Sequence, residues 1–512
     1  MSRTRNSLNN FKWALIGQSL GIVVSFVARI FFIRKLGNDY LGLNGLFTNI
    51  LTILTLAELG VGDAINYSLY KPLADNDLKK CKMLMNLYKK LYTIIGIVIL
   101  ILGLCITPFL SFIIKDMPNV PNISLIFMLF VVNTAISYFY SYKRNLLIAD
   151  QNRYIATIYR YGIYIITNVV QIVYLLITSN YIGFLVIQII FTLIENILVS
   201  KHADKMYPYL REENDIPLDK KTKDSIVKNT KALVMHKIGG VVVNSTDNII
   251  ISKFVNLVAV GLYSNYYMVT NALMLVINQV YSSILASVGN LCNKKDKTYQ
   301  YEVFKNMEFM TFWLATFTSV SLLCLIDDFI KIWVGKEYLL SNITVIVIVL
   351  NFYISISRKA VLTFRDATGV FYKDRYKALV EALINIVASL ILVLKYQITG
   401  VFIGTVISSI LTCICVEPYV LYKYGFKRSA KSYYKNYLKK CIISLIIVVI
   451  TYGICSMFSL NIYLNFILKT MICLIVPNMI ILLIYRNSEE IKFFYKRIWH
   501  LIPRKEVKHE KF

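Results

Sequence analysis

Residues 91–114 have the sequence LYTIIGIVILILGLCITPFLSFII, and their length and composition indicate the class of fold. It contains no charged residue, and it is longer than the roughly 20 apolar residues that an α-helix needs to cross about 30 Å of hydrocarbon. Similar runs recur along the whole chain, whose mean hydropathy is +0.59 with 57% hydrophobic residues. A soluble domain could not bury this much apolar surface in one core. The sequence therefore predicts an all-α polytopic membrane protein.

About fourteen transmembrane helices are predicted, separated by short polar segments. Their predicted spans are residues 12–33, 43–66, 91–114, 122–142, 161–178, 181–200, 232–252, 259–291, 309–327, 342–364, 379–395, 398–422, 441–459 and 463–485. The basic first twelve residues precede a run of full span length, so the first span is predicted to be a retained helix and not a cleaved signal peptide.

The charge distribution predicts the orientation of the spans. The chain has 56 Lys and Arg against 29 Asp and Glu, a net charge of +27. With the N-terminus placed inside, 44 of the basic residues fall in inner segments and 7 in outer loops. This positive-inside bias predicts that both termini are cytoplasmic and accounts for the basic charge without nucleic-acid binding. Anionic membrane lipids are the expected contacts of such loops.

The nine cysteines fall in spans or at the inner face, where disulfides are not expected. The Cys413-x-Cys415 pair lacks two further ligands at suitable spacing, so no metal site and no bound cofactor are predicted. No G-x-x-x-x-G-K-[ST] phosphate loop is present either.

An internal repeat organises the chain. Matches recur at an offset of 217 to 219 residues, so that Arg29 pairs with Asp247, Lys35 with Lys253 and Asn168 with Asn385. Two copies in the same orientation imply an axis along the membrane normal and a central cleft between two lobes. The predicted domains are a six-helix lobe at 1–200, a cytoplasmic linker at 201–231, a second six-helix lobe at 232–440, an appended helix pair at 441–485 and a basic cytoplasmic tail at 486–512.

Four segments resemble the polysaccharide repeat-unit flippases (Wzx-type) of the multidrug/oligosaccharidyl-lipid/polysaccharide (MOP) exporter superfamily. They are RKLGNDYLGLNGLF (34–47), ELGVGDAINYSLYKPLA (58–74), DNIIISKF with GLYSNYY (247–267), and RDATGVFYKDRYKALVEALIN with GVFIGTVIS (365–408). The resemblance implies a non-enzymatic transporter in the bacterial cytoplasmic membrane. Its implied task is to flip undecaprenyl-pyrophosphate-linked oligosaccharide repeat units for surface polysaccharide assembly, by alternating access.

The resemblance also implies a lipid-linked oligosaccharide as partner, and other polysaccharide-assembly proteins as candidate partners. It leaves the oligomeric state open. Since no phosphate loop is present, the expected energy source is a Na⁺ gradient, a H⁺ gradient or the membrane potential.

Polar residues inside spans are costly and usually face a water-filled interior. Polar stripes at helical spacing occur on the first, second, seventh and eighth spans, so these helices are predicted to line the substrate cavity. The candidate cavity residues are Arg29, Glu58, Lys237, Asn244, Asp247, Asn271 and Asn278. A structural alternative stays open for each, since Lys237 could snorkel to the interface and the asparagines could bond neighbouring helices.

The repeat also predicts an outer gate between Arg29 and Asp247, which occupy equivalent places in the two lobes. Pairing across the cleft would favour one conformation, because an unpaired charge at this depth is costly. In the alternative interpretation, Arg29 snorkels outward and Asp247 bonds locally.

Three other functions remain open at this point. An ion-coupled exporter of drugs or other small molecules would use the same fold but favour acidic cavity residues. A membrane enzyme of polysaccharide polymerisation would present a large outer loop with catalytic groups, and the longest outer loop, near 328–341, is short. A scaffold without transport is disfavoured by the polar stripes.

Overall fold

A computed structural model of the protein describes residues 3–58, 60–211, 219–458 and 460–493. Within these ranges the chain contains helices and turns and no β-strand. The α-helices are α1 (Arg3–Leu36), α2 (Asn38–Leu54), α3 (Val61–Ala74), α4 (Leu78–Ile106), α5 (Leu110–Ile113), α6 (Ile123–Ala149), α7 (Arg153–Thr178), α8 (Tyr181–Met206), α9 (Lys220–Phe254), α10 (Leu257–Lys294), α11 (Lys297–Trp333), α12 (Asn342–Ser357), α13 (Lys359–Ala367), α14 (Lys377–Ser408), α15 (Cys415–Val420), α16 (Lys431–Ser456) and α17 (Ile462–Tyr485).

Twelve helical segments of the described chain are long and apolar enough to cross a membrane, which confirms the predicted fold class. The predicted number of fourteen is approximate. One of the twelve segments, Lys377–Phe426, covers two predicted spans. The predicted seventh span lies in α9, which is helical but not among the twelve, and its sequence carries Lys237 and Asp247.

The two predicted spans inside Lys377–Phe426 are separated by a sharp turn at Gln397, where φ is 51° and ψ is −134°. The two arms of α14 then run back along each other. A Cβ added at Gly404 would lie 2.4 Å from Ser389 Oγ, and one at Gly400 would lie 2.2 Å from the carbonyl oxygen of Leu392. Glycine is therefore required at both positions for the arms to approach this closely.

The contacts divide the chain into two compact units. Unit 1 comprises Met1–Tyr267 and Ala378–Thr405, and unit 2 comprises Met268–Lys377 and Val406–Phe512. Unit 1 is thus discontinuous in sequence, because the α14 hairpin completes it. The predicted division into lobes at 1–200 and 232–440 stays a prediction.

In unit 1, α1 packs on α7, and α6 packs on both α4 and α8. The core contains Phe47, whose ring meets Phe127 edge-on with centroids 5.0 Å apart. Close backbone approach also holds α2 to the start of α10, since a Cβ at Gly42 would lie 2.3 Å from the carbonyl oxygen of Leu257. Close packing of aromatic rings and backbone stabilises helix association in the membrane. In water-soluble proteins the hydrophobic effect has this role.

In unit 2, α11 packs on α12, α16 and α17. An aromatic cluster fixes one end of this unit and includes Phe304, Phe364, Tyr422, Phe426 and Tyr433, all buried. The predicted appended pair corresponds to α16 and α17, and Trp313 of α11 donates a 2.6 Å hydrogen bond to Asn478 of α17.

Unit 2 also contains a buried ion-pair network centred on Glu417, whose exposed fraction is 0%. Arg358 holds the Glu417 carboxylate through two hydrogen bonds, one of them from Nε to Oε2 at 2.9 Å. Lys377 Nζ lies 2.8 Å from Glu417 Oε1. Arg365 Nη1 lies 3.8 Å from the same oxygen and 2.8 Å from Asp374 Oδ2. Every charge of this network therefore has an opposite charge beside it.

Candidate functional site

The second predicted span is not one continuous helix. α2 ends at Leu54, residues Thr55–Glu58 form a 3₁₀ turn, and α3 begins at Val61 after Gly60, which has a φ of 75°. A left-handed φ favours glycine, so Gly60 allows the chain to turn at this point. The break places the Glu58 side chain at the side of a polar cavity within unit 1.

This cavity has a volume of about 450 Å³, within the range typical of ligand sites. Its walls come from the α2–α3 break, α4 and α6, and they are rich in hydroxyl, amide and charged groups. The lining residues are Thr55, Glu58, Gly62, Asp63, Asn66, Tyr92, Thr134, Ser137, Tyr138, Ser141, Arg144 and Asn145. Such a lining can exchange many hydrogen bonds with a hydroxylated ligand.

Tyr92 holds Glu58 in place. It donates a 2.8 Å hydrogen bond to Glu58 Oε1, and the ring of Tyr138, which also lines the cavity, lies 5.5 Å from the Tyr92 ring. None of the ion pairs among the described side chains includes Glu58. The close fit depends on Gly62, because a Cβ there would lie 2.2 Å from the Tyr92 hydroxyl and 2.6 Å from Glu58 Oε1.

Arg144 is the cation of the cavity, and the sequence analysis did not select it. Its Nη2 lies 2.6 Å from Glu195 Oε1 and 3.1 Å from Asn196 Oδ1. Its Nε is buried and has no hydrogen-bond partner. The residue lies just past the predicted fourth span, where the positive-inside bias already explains a basic residue. The sequence feature that could have indicated Arg144 as a cavity residue is the polar run YKRN at 142–145, at the end of this span.

Arg29 lies elsewhere in unit 1. Its Nη1 donates a 3.0 Å hydrogen bond to Ser264 Oγ. Among the described side chains, no carboxylate forms an ion pair with Arg29. The predicted pairing with Asp247 belongs to an outer-closed state and stays a prediction, which the charge swap Arg29→Asp with Asp247→Arg would test.

Asp247 of α9 lies against the α14 hairpin in a group of buried oxygens. Its Oδ2 accepts a 3.3 Å hydrogen bond from Thr405 Oγ1, and Asn385 Nδ2 donates to the same Thr405 oxygen at 3.0 Å. Ser389 Oγ donates to the carbonyl oxygen of Val401, which also lies 3.3 Å from Thr405 Oγ1. Asp247 Oδ1 and Asn385 Oδ1 are buried and have no hydrogen-bond partner. A carboxylate with one unpartnered oxygen, connected through Thr405 to a residue with a second such oxygen, suits a small cation.

The remaining candidates divide into two groups. The side chains of Lys237 and Asn244 lie outside the described residues, although the backbone at both positions belongs to α9. Asn271 and Asn278 belong to unit 2 and are exposed, and Asn278 Oδ1 accepts a 2.6 Å hydrogen bond from Lys359. The structure therefore brings Glu58 together with residues of α4 and α6, which the stripes did not indicate as cavity helices.

Several solved structures share this fold. The chain matches the lipid II flippase MurJ in an inward closed conformation with a TM-score of 0.66 and 16% identity, covering 93% of this chain and 99% of that chain. It matches an inward-facing multidrug resistance MATE transporter of the MOP superfamily with a TM-score of 0.63 and 14% identity, covering 79% and 93%. A mutant of the Vibrio cholerae MATE transporter VcmN matches at 0.53 with 11% identity, covering 80% and 95%.

At these identities the likeness shows the fold, which is the fold of MOP-superfamily transporters. No curated protein matches the sequence. A sequence model described as "Polysaccharide biosynthesis protein" matches residues 7–288, more than half of the chain. The protein therefore belongs to the polysaccharide biosynthesis protein family.

Proposed function

We propose that this protein is a flippase that moves undecaprenyl-pyrophosphate-linked oligosaccharide repeat units across the bacterial cytoplasmic membrane by alternating access. The observation that carries the proposal is the polar cavity of about 450 Å³ in unit 1 of a polysaccharide biosynthesis family member. A lipid II flippase with the same fold supports the choice of a lipid-linked glycan. The function requires no covalent chemistry.

The lining of the cavity fits a sugar better than an apolar drug. Sugars present many hydroxyls and a few apolar ring faces, and the cavity offers hydroxyls, amides and the aromatic rings of Tyr92 and Tyr138. Arg144, whose side chain is 25% exposed, adds a guanidinium group to the cavity wall for an anionic or carbonyl oxygen. Arg29, which has no carboxylate partner among the described side chains, supplies a second cation in unit 1.

One observation favours a second function. Glu58 and Asp63 both line the cavity, and acidic groups in a membrane cavity suit a small-cation exporter. The glycan function predicts that transport depends on both Arg144 and Glu58, whereas cation export depends on the carboxylates alone.

The deciding experiment is deletion of the gene in its native strain. The expected result is loss of one surface glycan, with its lipid-linked repeat unit accumulating on the inner leaflet. Normal export of the polymer, with no related transporter substituting, would remove the flippase assignment. Export of unpolymerised repeat units would instead indicate a polymerising enzyme, and unchanged glycan with increased sensitivity to cationic drugs would indicate the exporter.

We further propose that a Na⁺ gradient drives transport through the buried oxygens around Asp247. Asp247, Asn385 and Thr405 would hold the ion, and the carbonyl of Val401 adds a fourth oxygen. These groups come from a helix and a sharply broken hairpin, an arrangement that membrane transporters use for coupling ions. The orphaned oxygens Asp247 Oδ1 and Asn385 Oδ1 are the observation that supports a cation here.

Asp247→Asn is expected to abolish the dependence of transport on the Na⁺ gradient and to lower transport at least tenfold. The amide keeps the size of the side chain and can still bond Thr405, but it removes the negative charge that offsets the cation. Transport of fluorescent lipid-linked glycan in proteoliposomes with imposed Na⁺ or H⁺ gradients measures this. Glu58→Gln is the control, because it is expected to lower transport while leaving the gradient dependence unchanged. Wild-type transport that follows a H⁺ gradient alone would contradict a Na⁺ site.

We also propose that both termini face the cytoplasm, as the 44 to 7 charge distribution predicts. A cysteine at Lys223, exposed at the start of α9, is expected to resist an impermeant thiol reagent added to intact cells. A cysteine at Lys336, exposed between α11 and α12, is expected to be labelled. The background replaces the exposed native cysteines, Cys105 and Cys415, by serine. The opposite labelling pattern would invert the topology.

A further inference from the structure

Three cysteines converge in unit 2, from three different helices. Cys324 belongs to α11, Cys455 to α16 and Cys473 to α17, and their Sγ atoms all lie within 4.8 Å of one another. Their exposed fractions are 7%, 2% and 1%. All three are free thiols. Residues so far apart in sequence make no motif, which is why the sequence analysis considered only Cys413 and Cys415.

The spacing of the sulfurs suits one metal ion. At a metal–sulfur distance of about 2.3 Å, three sulfurs around one ion lie roughly 3.8–4.0 Å apart. The sulfurs of this cluster need to move inward by less than about 1 Å, which small side-chain rotations supply. Ser321, one helical turn before Cys324 on α11, has a buried hydroxyl oxygen without a hydrogen-bond partner. It is a candidate fourth, weaker ligand or a hydrogen-bond donor to a bound thiolate.

The charges one helical turn away suit a metal with three thiolates. Asp328 follows Cys324 by four residues on α11, and Lys469 precedes Cys473 by four residues on α17, so both lie near the thiols on their helix faces. Lys469 Nζ lies 2.5 Å from Asp328 Oδ2, and Lys331 Nζ lies 3.4 Å from Asp328 Oδ1. Lys469 therefore places an ammonium group near the thiols, and a nearby cation favours the thiolate ligands that a metal requires.

The apolar residues around the three thiols favour a soft metal ion over a hard, hydrated one. Apolar side chains of the same core cluster, including Phe312, Ile447 and Ile481, pack around the thiols and exclude hard, hydrated cations such as Mg²⁺. Cys455 is the penultimate residue of α16, and the next residue, Ser456, is exposed.

We propose that Cys324, Cys455 and Cys473 bind one thiophilic d¹⁰ cation, Zn²⁺ or Cu⁺, which joins α16 and α17 to α11. Binding releases the thiol protons to solvent and forms metal–sulfur bonds without any redox step. The site lies in unit 2 and is independent of the glycan cavity and of the Asp247 oxygens in unit 1.

The test uses the full-length protein purified in detergent under reducing conditions. It is loaded separately with Zn²⁺ and with Cu⁺, dialysed against a competing chelator, and analysed for metal by mass spectrometry. We expect about one ion per chain for one of the two metals, and the metal retained identifies which one. Co²⁺ loading of the wild type is expected to give a thiolate-to-metal charge-transfer band. The bound ion is expected to raise the melting temperature by several degrees.

Cys324→Ser, Cys455→Ser and Cys473→Ser are each expected to lower retention at least tenfold. Cys81→Ser, which replaces a buried cysteine of unit 1, is the matched control and is expected to retain the ion. Failure of the wild type to retain either metal would overturn the proposal without reliance on a variant. Retention at the wild-type level by the three serine variants, or a disulfide between two of the three cysteines in the protein as isolated, would overturn it too.

Discussion

Replacing Glu417 by alanine is expected to destabilise the protein by about 3–5 kcal/mol, the usual cost of breaking a buried ion pair by removing one partner. Glu417 is fully buried, and Arg358 and Lys377 both bond its carboxylate. Alanine would remove the carboxylate that bonds both of these cations in a medium of low polarity. We expect a lower melting temperature in detergent and little folded protein in membranes.

Glu302→Ala is the matched control for this substitution. Glu302 also lies on a helix of unit 2, but it is exposed. Surface changes of this type usually alter stability by less than about 0.5 kcal/mol. Melting curves followed by size-exclusion chromatography of fluorescent fusions compare the two variants with the wild type. Equal melting temperatures for Glu417→Ala and Glu302→Ala would show that the network contributes no stability.

Gly62→Ala is expected to abolish most glycan transport while the protein still folds. The added Cβ would lie 2.2 Å from the Tyr92 hydroxyl and 2.6 Å from Glu58 Oε1, so the hydrogen bond between these groups must break or shift. A hydrogen bond to a charged group contributes about 1.5–3 kcal/mol, which corresponds to a loss of roughly 10- to 150-fold in transport. Flipping in proteoliposomes, at matched amounts of protein, measures this loss.

Gly162→Ala is the control for the effect of a methyl group on a membrane helix. Gly162 belongs to α7 of unit 1, and a Cβ there meets no atom within 4 Å. Alanine is expected to leave transport unchanged and to stabilise the helix by roughly 0.5–1 kcal/mol. Similar transport by both variants would show that the Glu58 and Tyr92 geometry does not matter for flipping.

The class of fold could be predicted because span length and apolar content are local properties of the sequence. Run length identified most of the membrane helices, and it even separated the two arms of α14, which the turn at Gln397 divides. The break between α2 and α3 was missed, because the pattern from Asn44 to Glu58 has helical spacing although the chain changes to a 3₁₀ turn at Thr55. A single left-handed glycine decides such a break, and apolar periodicity does not report it.

The sites were less predictable, because they depend on contacts between distant segments. Polarity within a span selected Glu58, Arg29 and Asp247, but it could not show that their contacts are Tyr92, Ser264 and Thr405. Arg144 was missed because a cation just past a span obeys the positive-inside rule whether or not it lines a cavity. The three-cysteine cluster was missed because its members are 131 and 18 residues apart in sequence.

The discontinuity of unit 1 has a consequence for how the protein is made. Its first part ends at Tyr267, and its last part begins at Ala378, after 110 residues of unit 2 have been translated. At roughly 5–20 residues per second, the ribosome takes on the order of 5–20 s to cover that interval. Throughout this delay Asp247 is already in the nascent chain, while Asn385 and Thr405 have not been synthesised. The place beside α9 therefore stays without its native partner until the hairpin leaves the translocon, and the contacts of Asp247 with the hairpin form late in cotranslational assembly.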